Sequence, residues 1–116
     1  MSLEKALAAC FERADNNQFF YVIPVDFPAF EGNFPGNPLL PGVCQLGLCC
    51  DALSRMLGKR VELRSVSRCK FIAPIRPGQK VKITLTPRPD GQTGAELIDP
   101  QTGARNCQLI FSGRNV

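Results

Sequence analysis

The sequence predicts an α+β domain in which a mostly antiparallel sheet wraps around one long central apolar helix. Residues 42–57 are apolar on nearly every side of a helix, and a helix without a wide polar face is a buried one. Apolar and polar side chains alternate in residues 60–71, 80–86 and 107–111. This period of two with one polar face is typical of antiparallel strands. Long strands packed on a single helix therefore define the expected architecture.

Before the central helix, the sequence predicts a short helix and one strand. Residues 2–14 place apolar side chains on one helical face, with Ser2 as a candidate N-cap, and Asn16 follows as a helix breaker. Residues 18–25 are rich in aromatic and β-branched side chains and are predicted to form a strand. Gly58 is expected to end the central helix, because glycine readily adopts the left-handed conformation found at helix C-termini.

Proline and glycine mark the predicted connections between these elements. Residues 87–94 and 99–103 combine Pro, Asp and Gly and predict hairpin turns. The stretch 24–41 contains five prolines, and a loop of this length inside a compact domain is either functional or disordered. Five large apolar side chains argue against disorder: Phe27, Phe30, Phe34, Leu39 and Leu40.

Length and composition favour a single domain spanning residues 1–116, with no membrane span. The chain is 44% hydrophobic, and no stretch approaches the roughly 18 to 20 uninterrupted apolar residues that a transmembrane helix requires. The first residues lack the pattern of a signal peptide. From these features we expect a cytoplasmic protein.

The six cysteines predict free thiols rather than disulfides or a metal site. Cys49 and Cys50 point about 100° apart on a helix and do not form a metal-binding pair. Cys69 and Cys107 fall on the apolar side of predicted strands, where a thiol packs as a small hydrophobic group. The chain contains no histidine, so we expect neither a zinc site nor another cofactor.

Positive charge is concentrated in one part of the sequence. Residues 55–88 contain a single acidic residue, Glu62, against ten basic residues. Such a block either steers an acidic partner or forms an ordinary solvated strand face. Phe71 is its only aromatic residue, so the interleaved aromatic side chains of a nucleic-acid-binding surface are absent from the block. No nucleic-acid partner is expected.

Two separated motifs resemble those of the hot-dog-fold 3-hydroxyacyl-acyl-carrier-protein dehydratases. The first is Gly32-Asn-Phe-Pro-Gly-Asn-Pro-Leu-Leu-Pro-Gly-Val43, and the second is Phe71-Ile-Ala-Pro-Ile-Arg-Pro-Gly-Gln-Lys-Val81. Together with the matching order of elements, the resemblance covers roughly residues 18–112. It implies a hot-dog fold and an acyl-thioester ligand from fatty-acid or polyketide-type metabolism. It further implies an acyl-carrier protein or acyl-CoA as partner. A homodimer is expected from the architecture itself, because a small sheet around one helix leaves an edge strand and an apolar loop exposed, and edge pairing of two copies covers both; a higher oligomer or a heteromer with a catalytic hot-dog subunit is the alternative.

The resemblance also assigns the site residues, and the catalytic ones are missing. The family's basic histidine corresponds to Asn33, its carbonyl-polarising backbone amide to Gly42, and its carboxylate, fourteen residues after the histidine, to Gly47. An asparagine amide does not titrate near neutral pH, and glycine has no side chain, so lyase chemistry is expected to be impaired or lost. The residues expected to bind substrate are Phe34, Pro41, Gly42 and Val43.

There are two alternatives to this interpretation of the chain. The first is an acyl-thioesterase that uses Asp51, which lies one helical turn after Gly47; there Asp51 either faces the substrate, as in hot-dog acyl-thioesterases, or pairs with Arg55 at i+4. The second is a non-catalytic subunit that completes the site of a histidine-bearing partner. Cys49 and Cys50 are disfavoured as nucleophiles, because no basic residue is expected near them to lower their pKa.

Overall fold

The computed structural model describes residues 2–31 and 36–116 and confirms the α+β class. In chain order, the elements are α1 (Leu3–Ala8), β1 (Phe11–Asp15), β2 (Gln18–Val22), a 3₁₀ turn (Pro28–Phe30), α2 (Gly42–Leu57), β3 (Val61–Phe71), β4 (Lys80–Pro87), β5 (Thr93–Ile98) and β6 (Arg105–Asn115). The strands form one sheet in the order β1-β2-β4-β5-β6-β3, in which every neighbouring pair is antiparallel. No helix in this described part is long and apolar enough to cross a membrane.

The central helix α2 has the predicted bounds and lies in the predicted core. Gly58 ends it in the left-handed conformation, at φ 69°. The buried residues of α2 belong to the same hydrophobic cluster as the inward-facing residues of β4, β5 and β6, including Leu85, Leu97 and Phe111. The preceding loop contributes Phe27, Phe30 and Leu40 to this core, as predicted for an ordered loop. Phe34 lies outside the described residues.

The expectation that α2 is buried on every side is wrong for one of its faces. Val43 is 65% exposed and Leu57 is 48% exposed, while Leu46 and Cys50 are only partly buried. The sheet of a single chain covers one side of the helix. An apolar strip on the opposite side is therefore not covered by residues 2–31 and 36–116.

The predicted helix over residues 2–14 is wrong beyond Ala8. Ser2 caps α1 as expected, with its Oγ accepting a hydrogen bond from the Lys5 amide at 3.2 Å. Residues from Phe11 onward instead pair with β2 through a tight turn in which Asn16 has a positive φ of 56°. Backbone pairing with β2 overrides the helical spacing of the apolar residues in this segment.

The alternation in residues 60–71 correctly predicts β3 but not its burial. Val61 is the only buried residue of this strand, which pairs on one side with β6 and forms an edge of the sheet. Leu63, Val66 and Phe71 are exposed. Cys69 is exposed as well, contrary to prediction.

Candidate functional site

The N-terminus of α2 presents two backbone amides that donate to none of the described residues. Pro41 occupies the N-cap position and makes no side-chain capping bond. Its carbonyl accepts from the amides of Cys44 and Gln45, at 3.0 and 3.2 Å. Among the described residues, the amides of Gly42 and Val43 have no hydrogen-bond acceptor. These N–H groups and the positive end of the helix dipole are suited to binding a carbonyl oxygen or an anion.

The two sequence motifs meet at this helix end. The Leu40 amide donates to the Ile75 carbonyl at 2.7 Å, which joins the first motif to the second. The Phe71 ring lies against Gly42, where a Cβ would come within 2.7 Å of its Cζ atom. Glycine at this position therefore allows the aromatic ring to approach the start of the helix.

A groove of about 550 Å³ runs from Val43 along the uncovered face of α2. Its walls are mostly apolar and come from α1, α2 and β3, including Leu7, Leu46 and Leu63. Charged residues at its rim pair with one another, as in the 3.0 Å contact between Arg60 and Glu4. An aliphatic chain is the kind of ligand that such a groove accommodates.

Gly47, which the resemblance aligns with the family's carboxylate, borders this groove next to α1. A Cβ at Gly47 would come within 2.5 Å of Leu7 Cδ1. A longer side chain at position 47 would therefore require the Leu7 side chain to move.

Asp51 also borders the groove, but its carboxylate is engaged within the chain. Tyr21 Oη donates to Asp51 Oδ2 at 2.6 Å, and Arg55 Nε donates to the same oxygen at 2.8 Å. The Asp51 side chain is 17% exposed. The i+4 pair with Arg55, one of the two arrangements expected from the sequence, is present. The buried Tyr21 was not identified from the sequence, because residues 30 positions apart give no signal of their contact.

The Tyr21–Asp51–Arg55 network joins four elements. The guanidinium of Arg55 lies 3.8 Å from the centre of the Phe11 ring in β1 and donates to the Ala8 carbonyl at 3.2 Å. Burial, followed by the hydrogen bond to Asp51, raises the pKa of Tyr21 far above its ordinary value, so the phenol remains a donor. The network therefore fixes α1, β1 and β2 against α2.

The cysteines near the groove are not activated. Burial, with smaller contributions from Glu4 and Glu62, raises the pKa of the Cys50 thiol to about 11. Burial likewise raises the pKa of Cys49 well above its ordinary value. Both thiols are therefore protonated at neutral pH, which argues against a nucleophilic role.

The structure does not bring all the predicted site residues together. Asn33 and Phe34 lie outside the described residues, so their predicted roles remain hypotheses. Gly42 and Asp51 are nine residues apart on one helix, which is about 13 Å along its axis at roughly 1.5 Å per residue. The carboxylate of Asp51 therefore cannot reach a carbonyl group bound at the Gly42 amide of the same chain.

Comparisons with known proteins agree with this architecture. The 3-hydroxyacyl-acyl-carrier-protein dehydratase FabZ of Aliarcobacter butzleri is 34% identical over 76 residues, which cover 55% of this chain and 52% of that protein. The chain spans about half the length of the curated relatives it matches.

Two solved structures show the same fold at low sequence identity. The dehydratase heterocomplex ApeI:P from Xenorhabdus doucetiae has a TM-score of 0.72 and 20% identity, covering 89% of this chain and 92% of that one. A hypothetical thioesterase with coenzyme A from Streptococcus pneumoniae has a TM-score of 0.64 and 12% identity, covering 98% and 94%. These likenesses confirm the predicted hot-dog fold.

A sequence profile of the ApeI-like family, described as ApeI dehydratase, matches residues 10–102. This region contains both motifs, the central helix and most of the sheet. The chain therefore belongs to the ApeI-like dehydratase family of hot-dog-fold proteins.

Proposed function

We propose that this chain binds acyl thioesters at the N-terminus of α2 but does not catalyse their dehydration. The observation that carries this proposal is the pair of free amides at Gly42 and Val43 beside an apolar groove that suits an acyl chain. The amides would hold the thioester carbonyl oxygen, since N–H groups at a helix start stabilise partial negative charge. The acyl group would be carried by an acyl-carrier protein or by coenzyme A.

The loss of dehydration follows from the residues that replace the family's acid and base. Removal of a 3-hydroxyl group requires a base for the proton next to the carbonyl and an acid for the departing oxygen. Asn33 supplies no base, and Gly47 supplies no acid. The proposal is tested by measuring hydration of a crotonyl thioester and, in parallel, binding of a butyryl thioester. Binding without hydration supports the proposal, whereas hydration at an ordinary enzyme rate contradicts it.

The role of the Gly42 amide has its own test in the substitution Gly42→Pro. Proline is well tolerated at the first position of a helix, and Pro41, at φ −58° and ψ 150°, already has the conformation that precedes a proline. The substitution therefore removes the N–H while the backbone is kept. We expect a loss of roughly 3- to 10-fold in thioester affinity, corresponding to one hydrogen bond of about 1 kcal/mol.

Gly42→Ala is the matched control for this substitution, because it adds a Cβ against Phe71 but keeps the amide. Isothermal titration calorimetry of the wild type and both variants separates the two effects. Equal affinities for the proline and alanine variants would show that the amide does not bind the carbonyl.

A non-catalytic role within a heteromeric dehydratase is the first alternative. It is favoured by the uncovered apolar strip of α2 and by the heteromeric assembly named for the similar ApeI:P structure. A second subunit bearing the missing histidine would then complete the site. Co-purification of this chain with such a hot-dog partner, and dehydration only by the mixture, would favour this alternative.

Hydrolysis of the thioester with Asp51 is the second alternative. Asp51 borders the groove, but the distance along α2 means that it would have to act on a thioester bound by a second subunit. Its Oδ2 atom already accepts two hydrogen bonds, which favours a structural role. Release of free thiol by the wild type but not by Asp51→Asn would support hydrolysis.

A further inference from the structure

A second cavity lies beside Gly42 and is separate from the apolar groove. It has a volume of about 310 Å³ and forms where the two sequence motifs meet, between the start of α2 and the segment that follows β3. Its lining residues are Leu39, Leu40, Gly42, Gln45, Phe71, Ile72, Ala73 and Pro74. The apolar groove begins at Val43 and this cavity reaches Gly42, so the amides of these two residues lie between the groove and the cavity.

Gln45 is the polar side chain that lines this cavity, and half of its amide is unpaired. The residue is 4% exposed, and its Nε2 atom donates to the Leu40 carbonyl over 3.4 Å. Its Oε1 atom is buried and accepts no hydrogen bond, which is true of no other buried side-chain oxygen or nitrogen in residues 2–31 and 36–116. Buried polar atoms without partners are rare because each one is destabilising. A hydrogen-bond donor on a bound ligand would satisfy this atom.

We propose that Gln45 Oε1 accepts a hydrogen bond from the secondary amide in the carrier arm of a bound thioester. The inference rests on the proposed function, in which the thioester carbonyl lies at the Gly42 amide. In both coenzyme A and acyl-carrier protein, the thiol belongs to a cysteamine unit whose amide nitrogen is four bonds from the thioester carbon. Gly42 and Gln45 are three positions apart on one helix, where such positions are roughly 5 to 6 Å from one another, and the four-bond span is of comparable length.

The size of the two spaces and the position of Gln45 assign the two ends of the ligand. The larger groove beyond Val43 has leucine and valine side chains in its walls and charged residues at its rim, and its apolar walls match the acyl chain. The smaller cavity contains the unpaired Gln45 Oε1 atom and matches the arm that carries an N–H donor. The Gly42 amide lies between the two spaces, at the position of the thioester itself. In this arrangement Gln45 contacts the carrier arm and does not determine the preferred length of the acyl chain.

The test compares wild type with Gln45→Met, which keeps the length of the side chain and removes the acceptor. Binding is measured by NMR titration with two probes, S-butyryl-N-acetylcysteamine, which contains the amide, and S-ethyl thiobutyrate, which lacks it. We expect the variant to lose roughly tenfold in affinity for the first probe, the effect of about 1.4 kcal/mol, and to bind the second unchanged. Leu48→Met, at a buried position of the same helix, is the control and should bind both probes like the wild type.

Thermal unfolding of the free protein adds a readout that separates recognition from packing. Methionine removes an unpaired buried acceptor, which is stabilising, and also the long 3.4 Å bond from Nε2 to the Leu40 carbonyl, which is destabilising, so the melting temperature of Gln45→Met should stay close to that of the wild type. A lower melting temperature with equal losses for both probes would assign Gln45 a structural role and overturn the inference. Unchanged binding of S-butyryl-N-acetylcysteamine by Gln45→Met would overturn the inference as well. A loss of affinity seen only with probes whose acyl group carries a 3-hydroxyl group would also overturn it, because Gln45 would then contact the acyl group.

Carrier-bound ligands identify which source of the amide the chain uses. Butyryl-CoA and butyryl-acyl-carrier protein share the cysteamine unit, so whichever of them binds the wild type should show the same roughly tenfold loss with Gln45→Met. If the wild type binds none of these thioesters, the proposed function fails and this inference fails with it. If the wild type binds and Gln45→Met binds equally well, only the inference fails.

Discussion

Replacing Asp51 with alanine is expected to lower the free energy of unfolding by about 2 to 3 kcal/mol. The phenol of Tyr21 is fully buried and would lose its acceptor at 2.6 Å, and an unsatisfied buried donor costs roughly 1 to 3 kcal/mol. Arg55 would lose its ion pair, but it is about one-third exposed, so solvent screening reduces its share. Urea unfolding followed by circular dichroism measures the change.

Two further variants distinguish this network from a general effect of removing an aspartate. Asp26→Ala, at an exposed position, should change stability by less than about 0.5 kcal/mol. Tyr21→Phe should cost about 1 kcal/mol, and its combination with Asp51→Ala should cost less than the sum, because the two residues share one hydrogen bond. An Asp51→Ala variant as stable as the wild type would contradict the structural role and return Asp51 to consideration as a catalytic residue.

The features that the sequence predicts well are those set by neighbouring residues. The bounds of α2 follow from a continuous apolar segment and from Gly58, which ends it. The cap at Ser2 likewise depends on residues within one turn. The error over residues 11–14 arises because they pair with the next strand, β2, across the turn at Asn16. The spacing of apolar residues alone does not show that this hairpin is more stable than a helix.

The same division between local and distant information applies to the candidate site. The resemblance located Gly42, but only the structure brings the Phe71 ring and the Leu7 side chain against the glycines of α2. The hydrogen bond between Tyr21 and Asp51 depends on the register of a strand against a helix, which no spacing reveals. Gln45 is visible in the sequence as a polar residue in an apolar helix, yet its missing partner is a fact of three-dimensional packing.

The burial of β3 was mispredicted for a related reason, and it leads to the second large expected effect. A strand with an apolar face is expected to be covered, but the edge strand β3 leaves Leu63 and Val66 exposed in this chain. The backbone groups on its free side are open to pairing with another strand. The uncovered strip of α2, including Val43, meets Leu63 in the groove. A second copy of the chain, packed about a two-fold axis, would cover both.

Replacing both Leu63 and Val66 with lysine is therefore expected to convert a dimer into monomers. Burying each apolar side chain contributes roughly 1.5 kcal/mol, and every substitution acts twice in a two-fold interface. Because both residues are already partly buried within the chain, we expect a net loss of at least about 3 kcal/mol, or more than 100-fold in the dissociation constant. Sedimentation velocity at micromolar concentration measures the change, and circular dichroism checks that the fold is retained.

Val25→Lys is the matched control, because Val25 is also exposed but lies in the loop between β2 and α2, outside β3. It should leave the association state unchanged. A wild-type protein that remains monomeric at high concentration would contradict the predicted dimer and favour a different hot-dog subunit as the cover of β3. Leu63 itself lines the groove, so the lysine variant should bind thioesters more weakly, both because the groove wall is changed and because the second subunit is lost. Retained affinity in a folded monomer would show that a single chain contains the complete binding site.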